Sequence, residues 1–178
     1  MGLDMYLYRT KKVEGYTAED YYTVDDTVCE HVTKDADVAG LNLETITGIS
    51  KANELLPRIK NRGEYFTWYS IFEEVGYWRK ANQIHRWFVE NVQDGIDECQ
   101  PSLVTKERLE ELLRTVKQVL EDFSKARELL PTQSGFFFGS TDYDEWYKKG
   151  LEHTVEVLEK VLAETDFDNE VILYRSSW

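Results

Sequence analysis

Two stretches of regular apolar spacing govern what this chain can fold into. Between residues 105 and 130, Leu109, Leu112, Leu113, Val116, Leu120 and Phe123 recur at intervals of three and four. Between residues 141 and 164, Tyr143, Tyr147, Leu151, Val155, Leu158 and Leu162 do the same. That period lines up each set on one stripe of an α-helix. Thr105 is a good cap for the first helix, Glu107 suits the positive end of its dipole, and Pro131 ends it. The second helix is predicted to start near Thr141, with Asp144 completing a capping pattern. The short connection PTQSGFFFGS between them favours an antiparallel helix hairpin.

The two ends of the chain follow a different period. In MGLDMYLY, Leu3, Met5 and Leu7 alternate with Asp4, Tyr6 and Tyr8, and the closing EVILYRSSW is also β-like. Period two with tyrosine enrichment predicts a half-buried strand. An isolated strand leaves its backbone groups unsatisfied, so the two ends are expected to pair. A further strand is predicted over EYFTWYSIF, residues 64–72, which is rich in aromatic and β-branched residues, and residues 64–70 are candidates to join the sheet. Gly76 reads as punctuation. From 77 to 92, Trp78, Ala81, His85, Phe88 and Val92 fall on one helical stripe. Ser50 is expected to cap a short helix, KANELL, that Pro57 disrupts. Residues 10–49 read as an acidic, loop-rich and mobile segment with one short helix opening at Thr17, where Asp20 completes a capping box. The predicted class is therefore α+β in a single domain over 1–178: three main helices, including the long hairpin, packed with a small antiparallel sheet that pairs the terminal strands.

Charge narrows the choice of partners. Thirty-four acids against twenty-one bases leave the chain at −13. Such a field repels nucleic-acid backbones, and the usual basic footprint is missing, so direct nucleic-acid binding is not expected. No apolar run approaches the roughly 20 residues that span a bilayer. The alternating start lacks a secretory apolar region, and Cys29 and Cys99 form no CxxC pair, which together predict free thiols in a reducing cytosol. A chain of this length buries enough surface to fold without a metal or disulfide.

The charge is unevenly spread. Residues 51–90 hold seven bases and five acids, whereas the flanking segments are strongly acidic. This locally basic zone coincides with Tyr65, Phe66, Trp68, Tyr69, Tyr77, Trp78 and Trp87. Aromatic planes stack on bases while Arg and Lys hold phosphates. Tyr77, Trp78, Arg79, Lys80, Asn82, His85 and Arg86 are accordingly the candidate ligand-binding residues. The competing reading is that the rings are core and the bases pair with surplus acids. His85 has a side chain suited to acid–base work, with Glu73 and Glu74 as partners if the fold brings them close.

A second candidate stretch is FFFGSTDYDEW, residues 136–146. Its helix start offers free N–H groups near Ser140 and Thr141, but Asp142, Asp144 and Glu145 oppose an anion and suit the helix dipole. Mg²⁺ is the alternative occupant of those acids. The three phenylalanines read as a wedge over the hairpin, or as a partner-binding patch if exposed. Cys29 and His31 form a CxH pair with no second pair at zinc spacing, and the ExxE pairs Glu107/Glu110 and Glu156/Glu159 read as solvated faces. No GxxxxGK[ST], GxSxG or GxGxxG is present, so no cofactor is expected.

MGLDMYLY, EEVGYWRKANQIHRWFVENVQDGIDEC and YRSSW together resemble a family of small acidic proteins encoded by bacteriophages and prophages. No catalytic or ligand residue carries over from it. The resemblance implies a viral accessory protein expressed in the cytoplasm of an infected bacterium, where such products counter host defences. It would do so by binding a host protein or by sequestering a nucleotide signal. A nucleotide-processing enzyme using His85 and a nucleic-acid mimic using the acidic helix faces are the alternatives. The helix hairpin also offers a self-complementary surface for a homodimer.

Overall fold

The strands at the two ends of the chain lie side by side. In the computed structural model, which describes residues 2–178, β1 (Asp4–Lys11) pairs antiparallel with the last strand, Glu170–Ser177, over its whole length, from Asp4 opposite Ser177 to Lys11 opposite Glu170. Between them in sequence come α1 (Ala18–His31), the short α2 (Asp35–Val38) and α3 (Leu43–Thr47), a 3₁₀ segment (Ala52–Arg58), and the two-residue strands β2 (Lys60–Asn61) and β3 (Tyr69–Ser70). Then follow β4 (Glu73–Arg79), α4 (Asn82–Val92), β5 (Ser102–Val104), α5 (Lys106–Glu121), α6 (Ala126–Leu129) and α7 (Glu145–Glu164), so that the last strand is β6. The main sheet is antiparallel in the order β4-β1-β6-β5, and β2 pairs with β3 apart from it.

The alternation in the terminal strands builds two cores, one on each sheet face. Leu3, Met5, Leu7, Ile172 and Tyr174 point into a cluster with Phe88 of α4, Leu109, Leu112 and Val116 of α5 and Leu151 and Leu158 of α7. Leu173, which faces the opposite way, joins Tyr21, Val24 and Val28 of α1, Leu43 of α3 and Leu55, Ile71 and Phe72. Burial of each such aliphatic side chain contributes roughly 1.5–3 kcal/mol, so both faces need a helical cover. α5 and α7 run antiparallel on the first face: Lys117 reaches Glu159 at 2.7 Å, Phe123 meets the Tyr147 ring near the start of α7, and Lys106 lies over Phe167 just beyond its end.

The α+β class, the pairing of the terminal strands and the helix hairpin are as expected; the helix count is not. Helix α1 has fourteen residues, opened by the Thr17–Asp20 capping box, and with α2 and α3 it fills much of the segment expected as loop. Its Tyr21, Val24 and Val28 cover the second sheet face. The strand expected over 64–72 reduces to Tyr69–Ser70, and the strand that joins the sheet is β4, extending through Gly76 to Arg79. Gly76 is a packing position: a Cβ there would sit 2.7 Å from Val157 Cγ1 on α7. α5 ends at Glu121, short of Pro131. The 3₁₀ segment opens at Lys51 and contains Pro57, and Ser50 does not cap it. α7 is capped by Asp144, whose Oδ1 accepts from the N–H groups of Trp146 and Tyr147.

Candidate functional site

The end of β4 turns into α4 through two unusual residues. Lys80 has φ 58°, a left-handed conformation that side-chain-bearing residues rarely adopt, and its N–H donates to Leu3 O at 2.7 Å. Asn82, in the first turn of α4, is buried and fully bonded. Its Nδ2 donates to Phe138 O at 3.0 Å and to Ser140 O at 2.9 Å, and its Oδ1 accepts from Gln133 N–H at 3.0 Å. One amide thus pins the connection before α7 to the start of α4. Leu3 N–H adds a bond to Phe137 O at 3.1 Å. Gly139, at φ +86°, allows the close approach: a Cβ there would stand 3.1 Å from Lys80 Cβ.

This stapling encloses a cleft of about 410 Å³ between Arg79–Lys80 on one side and Ser140, Asp142 and Trp146 on the other, with the buried Gln83 between them. Parts of the two candidate stretches of the sequence therefore line one hollow. Arg79 and Lys80 are exposed and enter no ion pair among the described residues. Trp146 is 77% exposed, and Lys149 Nζ lies 5.0 Å above its ring. Asp144 belongs to the wall, but its Oδ1 is already bonded as the helix cap. The arrangement offers an aromatic plane, two uncommitted cations and the carboxylates of Asp142 and Asp144.

The other candidate residues lie elsewhere. Tyr77 does not line the cleft; it lies on the face of β4 opposite Trp78, and its hydroxyl donates to Asp4 Oδ1. Trp78 is 2% exposed and its indole N–H donates to Thr154 Oγ1 at 2.9 Å. His85 is completely enclosed: its Nδ1 meets the Tyr174 hydroxyl at 2.7 Å and its Nε2 meets Asp97 Oδ2 at 3.0 Å. Asp97 in turn accepts from the Trp178 indole at 3.0 Å. This network ties α4 to β6 and the chain end, and its partners are not Glu73 or Glu74; the Glu73 carboxylate is held by Arg9 at 3.0 Å. Arg86 is engaged by Glu90 at 2.7 Å. Of the seven candidates, Arg79 and Lys80 line the cleft, while Asn82 shapes it from beneath.

Sequence reading missed Gln83, and it treated residues 136–146 as a separate site. No period marks a loop that folds back onto a distant turn. The three phenylalanines diverge: Phe138 is buried against His85 and Trp178, whereas Phe136 is 94% exposed. No group of three or more His, Cys, Asp or Glu side chains able to hold a metal converges among the described residues. Cys29 accepts from the Trp68 indole at 3.2 Å, and His31 bonds Thr27 O. No helix among the described residues is long and apolar enough to cross a membrane. In comparison with known proteins, the chain matches no protein-family model, no curated protein and no solved structure.

Proposed function

We propose that this chain is a non-enzymatic binding protein that captures a small anionic ligand carrying a flat ring, of nucleotide type, in the cleft between Arg79–Lys80 and Trp146. In the setting implied by the phage resemblance, it acts in the host cytoplasm by sequestering a nucleotide signal. The observation that carries this reading is the pair of unpaired cations. In a chain with thirteen surplus acids, Arg79 and Lys80 remain without carboxylate partners opposite an exposed indole. Cations hold phosphates and indole rings stack on bases. The left-handed Lys80 and the Asn82 staple support a preformed cleft, since local backbone strain persists only where the surroundings enforce it.

Isothermal titration with a panel of cyclic and linear nucleotides tests this reading. At least one member is expected to bind one to one, and the double variant Arg79→Gln/Lys80→Gln is expected to weaken that binding at least tenfold. No heat with any member contradicts it. Capture of a host protein is a second reading, supported by exposed Phe136 and by Trp146 on the cleft rim. That reading expects Trp146→Ala to abolish co-purification of one defined host protein while leaving the fold intact.

A further inference from the structure

A second hollow opens across the molecule, on the sheet face covered by α1. It measures about 500 Å³. Its apolar side is a packed group of rings: Tyr8 stacks on Phe72 with centroids 5.3 Å apart, and Tyr22 contacts Phe72 at 4.9 Å. Trp68, on the neighbouring loop, supplies a partly exposed indole at the rim. Arg62 and Arg175 bring two positive charges, and Asp25, Asp26, Glu73 and Glu74 bring negative ones, of which Glu73 is taken up by Arg9 and Arg58.

These charges do not neutralise each other. Neither arginine enters an ion pair among the described residues, and neither do Asp25, Asp26 or Glu74. Asp25 Oδ1 is instead bonded to Ser70 Oγ at 2.6 Å and Ile71 N–H at 2.8 Å. Two polar atoms shielded from solvent also lack partners: the hydroxyl of Tyr22, a residue only 8% exposed, and Nε of the half-buried Arg62. Arg175 lies 4.8 Å above the Tyr22 ring and close to its hydroxyl, without reaching hydrogen-bond geometry. Unsatisfied buried polar groups are costly, and native structures rarely keep them without reason. A pocket with rings on one side and a few convergent polar groups is the usual form of a small-molecule site.

We propose that this hollow binds a zwitterion of the α-amino-acid class with an apolar or aromatic side chain. Its carboxylate lies between Arg62 and Arg175, its ammonium faces the unpaired carboxylates, and its side chain rests on Tyr8 and Trp68. A ligand with both signs satisfies both sets of charges at once, whereas a singly charged ligand leaves one set uncompensated. This site is independent of the Arg79–Lys80 cleft.

The test is isothermal titration with L-phenylalanine and L-tryptophan beside phenethylamine, tryptamine and 3-phenylpropionate. The expected result is one-to-one binding of at least one of the amino acids, with every singly charged analogue at least tenfold weaker. Arg175→Gln, a change at an exposed position, is expected to weaken binding at least tenfold, and Tyr22→Phe to weaken it several-fold. Arg79→Gln, in the other cleft, leaves it unchanged. No heat from either amino acid, an analogue that binds as tightly as its parent, or undiminished binding by Arg175→Gln overturns the proposal.

Discussion

At position 25 a carboxyl group is buried on α1 with two fixed donors, the Ser70 hydroxyl and the Ile71 N–H. Burial dominates those donors and raises its pKa from 3.8 to about 6. The folded chain therefore holds this proton more tightly than the unfolded chain. The group's favourable contribution is complete below about pH 4 and is lost as pH rises through 6. Asp25→Asn keeps an oxygen for both donors and removes the charge. Urea unfolding of the two proteins between pH 4.5 and 7.5 should show the variant gaining relative stability as pH rises, on the order of 2 kcal/mol at neutrality, since each pKa unit is worth about 1.4 kcal/mol. A constant difference across that range would exclude the burial account. Asp25 carries no sequence signature, because its neighbour Asp26 is just as acidic and remains exposed. Only the fold distinguishes them.

At the scale of elements, a side chain in the first turn of α4 ties that helix to the 133–140 connection. Its N-cap, Ala81, provides no capping group, and Asn82 bonds the backbone of the 133–140 connection. Asn82→Ala leaves three backbone groups without this partner, with an expected cost of about 2–4 kcal/mol in denaturant unfolding. The Gln133 amide should also exchange faster with solvent. A stability change below about 0.5 kcal/mol would show that the connection is held by other contacts. The sequence disclosed elements where one period ran undisturbed: the helix stripes, the Thr17 and Thr105 caps and both terminal strands; it placed the start of α7 near Thr141, whereas the helix opens at Glu145 with Asp144 as its cap. It failed where two periods overlap. Trp78 and Ala81 fit the helical stripe of His85 and Phe88, yet Trp78 also fits an alternating strand, and pairing of β4 with β1 decides the matter. Trp68, Tyr65 and Phe66 have strong strand propensity but lie exposed in the loop between β2 and β3.

In the whole molecule, one antiparallel sheet carries two cores, and each sheet face is bordered by a hollow with uncommitted charges. The aromatic and basic zone that stood out in the sequence is divided between them. Arg79 and Lys80 serve one hollow, Arg62 and Trp68 the other, and Trp78 and Trp87 enter the core. Local charge and aromatic content were legible. Their distribution over two faces was not, because it depends on the sheet order and on a loop returning from sixty residues away. The central claim is that a nucleotide occupies the Arg79–Lys80 cleft against Trp146. The chain's five tryptophans give five indole N–H resonances in a ¹⁵N-correlated NMR spectrum, one reporter for each environment. On addition of a nucleotide that binds, the Trp146 resonance is predicted to move while those of buried Trp78 and Trp87 stay fixed. Movement of Trp68 alone, or of none of the five, would contradict the account.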